Sequence, residues 1–117
     1  MIWINGTESA VEFSKFNMYF LNDIKSENVK IVANTSDDSL ELSYKAKDGS
    51  VEVVRYLVQS GSIYRDKVNI CNKVKASKIE ADEKNGTITV YLKIDDFEKT
   101  TTYVLEPKNN IDGSQVI

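Results

Sequence analysis

The chain contains no histidine, one cysteine and one proline among its 117 residues. Without histidine, the chain has no His-dependent catalytic triad and lacks both the usual acid–base group at neutral pH and the commonest metal ligand. Cys71 has no second cysteine to pair with, so an intramolecular disulfide is excluded and the redox compartment stays open. Because it lies in the run VNICNKV, we expect a small buried hydrophobe, with a reactive thiol as the less favoured alternative.

Long apolar runs and an excess of one charge are also missing. No segment approaches the ~20 apolar residues that a membrane-spanning helix needs, and Met1–Asn5 is too short for a signal peptide. The formal net charge is −3 with 28% charged residues, so the basic excess typical of nucleic-acid binders is absent. The length fits one domain with a core that needs no disulfide. The protein is therefore either cytosolic or has an export segment that is not in the printed sequence.

Motifs that carry catalysis or bind cofactors are absent as well. The sequence has no phosphate-binding loop, no GxGxxG, no nucleophile elbow and no CxxC. Asp37-Asp38 and Asp95-Asp96 are paired carboxylates, but neighbours on a strand point to opposite faces and acids in loops are usually solvated. The runs beginning at Asp82 and Asn109 lack the oxygen spacing of a calcium loop and are interpreted as turns. We therefore expect no enzyme activity, no cofactor, no metal and no small-molecule substrate.

What the sequence does contain is one strong helical pattern, over residues 9–26. Apolar residues recur there at intervals of three and four and form a single stripe. The stripe consists of Phe13, Phe16, Phe20, Leu21 and Ile24. Ser9 and Glu12 have capping-box spacing, and the turn dipeptide Asn5-Gly6 predicts a break before them. We expect a helix over 9–26 that packs its stripe on the core, with Phe20 buried.

From residue 29 to 106 the sequence favours strands joined by short turns. VKIVA at 29–33 predicts a first strand, and the polar run NTSDDS follows it. LELSY and VEVVRYLVQ are joined by Asp48-Gly49, which predicts a hairpin. Centring the loop on that dipeptide places Lys45 opposite Glu52, Tyr44 opposite Val53 and Leu40 opposite Leu57.

The next hairpin turns at Ser60-Gly61. This loop predicts that Val58 faces Ile63, Leu57 faces Tyr64, Tyr56 faces Arg65 and Arg55 faces Asp66, although a three-residue loop would shift the register. The strand at 51–59 is apolar on both faces, which is typical of a central strand. We expect Arg55 to be partly buried and paired with Asp66. The predicted structural residues of this hairpin are Arg55, Tyr56, Gly61, Tyr64, Arg65 and Asp66.

A third hairpin pairs Lys75–Asp82 with Thr87–Asp95 around Asn85-Gly86. Its predicted register places Ile79 opposite Leu92 and Ala81 opposite Val90, and it also opposes two like charges, Lys78 and Lys93. Thr100–Glu106 is the predicted last strand, ended by Pro107.

The densest basic cluster consists of Lys73, Lys75 and Lys78, and the first two are expected on one strand face. A solvated strand face is favoured over a DNA site, because no arginine and few aromatic residues are interleaved.

These patterns predict an α+β fold with one N-terminal amphipathic helix packed on an antiparallel meander sheet of about six to seven strands. Residues 1–106 form a single globular domain, with the helix at 9–26 and the sheet at 29–106. Residues 107–117 form a mobile C-terminal tail.

The order of these segments resembles the globular part of a type IV pilin-like minor subunit. The segments are FLNDIK at the end of the helix, then LELSY, VVRYLVQSGSIYR, KIEAD and ITVYLKI. The pattern is similar to the group that contains the minor pseudopilin J of type II secretion and the F-type minor pseudopilin of Gram-positive competence pili. The resemblance covers about residues 13–105.

The resemblance implies a structural subunit of a pilus-like, competence or secretion filament that acts through contacts with other pilin or pseudopilin subunits. It also implies an extracytoplasmic or cell-surface location, with membrane attachment through an apolar helix upstream of Met1. The break expected at Asn5-Gly6 departs from the family, whose stalk helix runs unbroken into the globular domain. The alternative is a stand-alone extracytoplasmic or phage-encoded ligand-binding domain.

Overall fold

The computed structural model describes the backbone of residues 4–105 and the side chains of residues 8–105. Within that range one helix precedes eight strands. The elements are α1 (Ile4–Ile24), β1 (Glu27–Ser36), β2 (Ser39–Lys45), β3 (Val51–Gln59), β4 (Ser62–Arg65), β5 (Val68–Cys71), β6 (Val74–Asp82), β7 (Thr87–Ile94) and β8 (Phe97–Val104). The predicted tail at 107–117 lies outside the described residues.

The α+β class with one helix and antiparallel strands is confirmed, but the single meander sheet of six to seven strands is wrong. In the described range, β1 to β5 form one antiparallel sheet in chain order, the large sheet, and β6 to β8 form a second, the small sheet. The chain leaves the large sheet at Lys73, which has a left-handed backbone with φ of 64°. Lys73 therefore precedes β6, and the expectation that it shares a strand face with Lys75 is also wrong.

The helix begins earlier than predicted. Asn5 and Gly6 lie within α1, so the expected turn there is wrong, as is the capping box that started at Ser9. A glycine inside a helix costs only about 1 kcal/mol relative to alanine, which a continuous helix can absorb. Ser9 is buried inside the helix, and the Glu12 carboxylate instead accepts a 2.7 Å hydrogen bond from the backbone N–H of Asn72.

The small sheet lies across the hairpin turns of the large sheet. The backbone N–H of Val74 donates to the carbonyl of Gly61 at 3.0 Å, and that of Ile79 donates to the carbonyl of Asp37 at 2.8 Å. These contacts place β6 against the β1–β2 and β3–β4 turns of the large sheet. The described chain is accordingly elongated, with extents of 56 × 27 × 26 Å.

One helix covers both sheets. The Phe20 ring contacts the Tyr56 ring of the large sheet at 5.0 Å between centroids and the Tyr103 ring of the small sheet at 4.7 Å. Nearer the start of the helix, Phe13 packs on Phe97 at 5.9 Å. Four of the five predicted stripe residues are buried and Leu21 is half-buried. The buried members are Phe13, Phe16, Phe20 and Ile24.

The number of residues in each turn determines the register of its hairpin. The register predicted around Ser60-Gly61 is confirmed from Tyr56 opposite Arg65 to Val58 opposite Ile63. Both turn residues have positive φ, 52° at Ser60 and 75° at Gly61, which is the backbone of a two-residue type I′ turn.

The registers of the first and third predicted hairpins are wrong. Leu40 lies opposite Tyr56 rather than Leu57, because the turn spans residues 46–50 and is closed by Ala46 and Ser50. A shift of one residue turns every side chain of β3 to the other face. The third hairpin is shifted by two residues, so the faces are kept and Lys78 lies opposite Tyr91 instead of Lys93.

Two strand boundaries also differ from the predictions. The first strand extends over Glu27–Ser36 rather than 29–33, and the last covers Phe97–Val104 rather than 100–106. The short strand β5, Val68–Cys71, was not predicted at all. Its four residues are too few to show the alternation by which a strand is recognised.

Candidate functional site

A buried ion pair joins the end of the helix to the β3–β4 hairpin. The Asp23 carboxylate is 97% buried and accepts two 2.8 Å hydrogen bonds from Arg65, from Nε to Oδ2 and from Nη2 to Oδ1. The Tyr56 hydroxyl donates a third, to Oδ2. This bidentate geometry is the strongest form of an arginine–carboxylate contact.

The charges in this cluster are satisfied by each other. The hydrogen bonds that Arg65 donates to the Asp23 carboxylate raise the pKa of Arg65, so the guanidinium stays charged. Burial, helped by the same carboxylate, raises the pKa of Tyr56 above its usual range and keeps the hydroxyl protonated. Neither group is poised to exchange a proton near neutral pH. We call Asp23, Tyr56 and Arg65 the lock, because their bonds tie the helix to the hairpin.

The expected burial of Arg55 is wrong. Its side chain is 54% exposed and its nearest carboxylate is Glu41, at 3.9 Å. Asp66 lies in the β4–β5 turn and accepts a 3.1 Å hydrogen bond from the backbone N–H of Arg55, not from the guanidinium. The one-residue shift between β2 and β3 explains the error, because it turns Arg55 to the outer face and Tyr56 to the inner face. Tyr64, also on the outer face, is half-buried.

Cys71 is completely buried beside the helix. Burial, together with the negative charge of Glu12, raises the pKa of its thiol to about 12. The nucleophilic thiolate is therefore suppressed at neutral pH. This environment is that of a core residue.

The basic cluster is neutralised by neighbouring carboxylates. Lys73 lies 3.2 Å from Glu8, and Lys78 lies 3.4 Å from Glu80. Lys75 is 4.0 Å from Asp95. Each of the three lysines therefore lies within 4.0 Å of a carboxylate, and its side chain stays exposed.

Asp38, one of the paired acids, and Asp82, which begins a predicted turn, accept hydrogen bonds from polar neighbours. Asp38 accepts a 3.1 Å hydrogen bond from the Ser77 hydroxyl, and Asp82 accepts two bonds from Asn85 within the β6–β7 turn. Within residues 4–105, no three side chains of His, Cys, Asp or Glu lie close enough to hold a metal ion.

The junction between the sheets depends on Asn34, a residue that the sequence did not single out for this role. Its side-chain Nδ2 donates to the carbonyl of Ile79 at 3.1 Å, and its Oδ1 accepts from the N–H of Ala81 at 2.9 Å. These are the two backbone groups that flank Glu80 on one edge of β6. The Asn34 amide thus occupies the place of a paired strand residue and connects β1 to β6.

The outer face of the helix carries a second apolar stripe. Val11 and Met18 are seven residues apart, so they lie almost in line along the helix, opposite the phenylalanine stripe. Their exposed fractions are 50% and 64%, and Tyr19 beside them is 39% exposed. We call Val11, Met18 and Tyr19 the outer stripe. The seven-residue spacing of Val11 and Met18 could have indicated the outer stripe in the sequence. The phenylalanine stripe is the stronger pattern, and only that stripe was predicted.

Comparisons with protein-family models, with curated protein sequences and with solved structures find no match to this chain. In the described part of the chain, no helix combines the length and apolar character needed to cross a membrane. A functional hypothesis therefore depends on the two features of the helix, the buried lock at its end and the outer stripe along its exposed face.

Proposed function

We propose that the protein is a structural minor pilin or pseudopilin subunit of a type IV pilus-like, competence or secretion filament. The observation that carries the proposal is the outer stripe, because exposed apolar side chains on the helix face away from the core can be covered by a partner. The phenylalanine stripe is covered by the chain's own sheets, whereas Val11 and Met18 are exposed. The partner is another subunit of the same filament, packed against this face of the helix.

Two of the segments that carry the resemblance meet at the buried lock. Asp23 comes from FLNDIK, while Tyr56 and Arg65 come from the two strands of VVRYLVQSGSIYR. The lock fixes the end of the helix to the hairpin, as a rigid subunit requires. It supports the proposal by giving these otherwise degenerate patterns a common physical role.

The course of the helix is also compatible with a pilin-like subunit. α1 runs through Asn5 and Gly6 without a break, which removes the departure from the family that the turn dipeptide suggested. We infer an extracytoplasmic location, with attachment to the membrane through an apolar helix upstream of Met1. The domain itself would then have no turnover of its own and would act only in the assembly.

The proposal is tested by complementation of a gene deletion. Deletion should abolish assembly of the filament or secretion complex, and the full-length gene should restore it. Full-length protein carrying both Val11→Glu and Met18→Glu should accumulate normally but fail to restore assembly, because two charges would be buried against the partner.

The matched control is Val51→Glu with Val68→Glu, two valines of similar exposure on strands. It should restore assembly. Full rescue by the helix variant, rescue by residues 1–117 alone, or a robust hydrolytic or transferase activity of the purified domain would overturn the proposal. The last two outcomes would favour a stand-alone binding domain or an enzyme, respectively.

A further inference from the structure

The small sheet ends in a long edge strand. In the described part of the chain β8 pairs only with β7, and the ladder runs from Thr87 opposite Val104 to Ile94 opposite Phe97 without a bulge. Proline and bulges, two of the devices that blunt an exposed edge, do not occur in these eight residues. The other edge of the small sheet is bonded to the large sheet through Asn34 and Asp37.

The register shows which backbone groups of β8 face away from β7. Leu105 donates its N–H to the carbonyl of Gly86, the residue directly opposite. In an antiparallel ladder such hydrogen-bonded pairs alternate with non-bonded pairs, so the odd-numbered residues of β8 bond to β7. The N–H and carbonyl groups of Glu98, Thr100, Thr102 and Val104 therefore point to the open edge.

We propose that this edge pairs with the same edge of a second copy of the chain, antiparallel about a two-fold axis at Thr101. Each Thr100 then lies opposite Thr102 of the other copy, a favourable cross-strand pair. A threonine pair already bonds on this face, between Thr89 and Thr102 at 3.1 Å. The two three-stranded sheets become one continuous sheet.

Charge is compatible with this arrangement. Glu98 lies opposite Val104 of the other copy, and Lys99 lies opposite Tyr103, so no like charges oppose each other. On the helix, Asn17 accepts a 2.7 Å bond from Tyr103 of β8, and helical spacing places Ala10, Ser14 and Leu21 beside it. All three are uncharged, so the incoming strand meets no unpaired charge there.

The interface is small, because one strand pair buries less than the roughly 1,200 Å² of a standard interface. The dimer should therefore be weak and populated only at high protein concentration. This inference does not depend on the proposed function, since it concerns pairing of the purified chain with itself.

The test is sedimentation of the full 117-residue chain over a wide concentration range, combined with hydrogen exchange of the β8 amides. The expected result is a monomer–dimer equilibrium in which the amides of Thr100 and Thr102 become protected as concentration rises. Thr100→Pro removes an edge-facing N–H from both copies without touching a bond to β7. It should weaken the association about tenfold or more.

Thr100→Ala is the matched control, because it keeps the N–H and should keep most of the association. Melting curves of both variants check that the fold is intact, and Thr102→Pro provides a second test if Thr100→Pro does not fold. A chain that stays monomeric at every concentration would overturn the proposal. So would an association unaffected by both proline variants, or protection of these amides that does not depend on concentration.

Discussion

Phe20 and Met18 lie two residues apart on opposite faces of the helix, and their surroundings predict a large and a small effect of the same substitution. Phe20 is 1% exposed between two aromatic rings, whereas Met18 is 64% exposed. Phe20→Ala should lower the free energy of unfolding by about 3–5 kcal/mol, and Met18→Ala by less than about 0.5 kcal/mol. Urea unfolding of both variants measures this. A loss below about 1 kcal/mol for Phe20→Ala would show that the phenylalanine stripe is not the core.

Asp23 gives a second prediction at this scale. Asp23→Asn keeps the volume of the side chain but leaves the Arg65 guanidinium without its charge partner. Breaking one side of a buried ion pair should cost about 3–5 kcal/mol in urea unfolding.

The matched control is Arg55→Met, which breaks only the exposed contact with Glu41 and should cost less than about 1 kcal/mol. Equal losses for the two variants would contradict the assignment of the lock to Asp23 and Arg65.

Cys71 predicts how stability depends on pH. Its thiol has a pKa of about 12 in the folded chain and an ordinary value of 9.0. Below pH 9 both states hold the proton. Above pH 9 the unfolded state loses the thiol proton first. The free energy of unfolding therefore falls as the pH rises from about 9 to about 12.

Urea unfolding between about pH 8 and 11 measures the effect. Cys71→Ala should show a shallower alkaline loss of stability than the unmodified chain. Tyr103, whose pKa is raised by burial to about 12, adds a parallel loss that this variant keeps. If the free energy of unfolding fell equally steeply with pH in the two proteins, the result would contradict the burial of the Cys71 thiol.

At the scale of elements, the sequence predicted what local patterns encode. The three- and four-residue spacing of the phenylalanines identified the buried face of the helix. Ser60-Gly61 predicted a hairpin register correctly, because both residues adopt the positive φ of a two-residue turn. Asp48-Gly49 did not predict its register correctly, because the five residues 46–50 form a wider turn. A loop longer by a few residues costs little free energy, so tertiary packing decides its length.

Long-range contacts were beyond such patterns. Asp23 and Arg65 are separated by 42 residues, and Asn34 and Ile79 by 45. No periodicity links positions so far apart in the chain. The division into two sheets was missed for the same reason, because the connection between β1 and β6 is made by one side chain rather than by a continuous ladder.

Asn34 gives a prediction at the scale of the elements. Asn34→Ala removes bonds to the backbone of Ile79 and Ala81, and leaves these part-buried groups without partners. It should lower the free energy of unfolding by about 1–3 kcal/mol and speed hydrogen exchange at Ala81 in particular.

Asn85→Ala is the matched control, because Asn85 bonds only within the exposed β6–β7 turn. It should leave exchange at Ala81 unchanged. Equal protection of Ala81 in both variants would contradict the role of Asn34 as the side chain that connects β1 to β6.

At the scale of the whole molecule, the helix joins two sheets that lie end to end, and one of its faces remains exposed along this length. The buried side chains explain the stability of the fold. The outer stripe is the feature that the fold does not use. Its proposed role is to contact another subunit in the filament.

The most direct measurement is site-specific crosslinking in cells that assemble the filament or secretion complex. A photoreactive residue replaces Val11, Met18 or Val68 in the full-length protein, and mass spectrometry identifies the crosslinked partner. The account predicts crosslinks from positions 11 and 18 to another filament subunit, and none from position 68. Assembled complexes with no such crosslink from either helix position, or with crosslinks from position 68 alone, would contradict it.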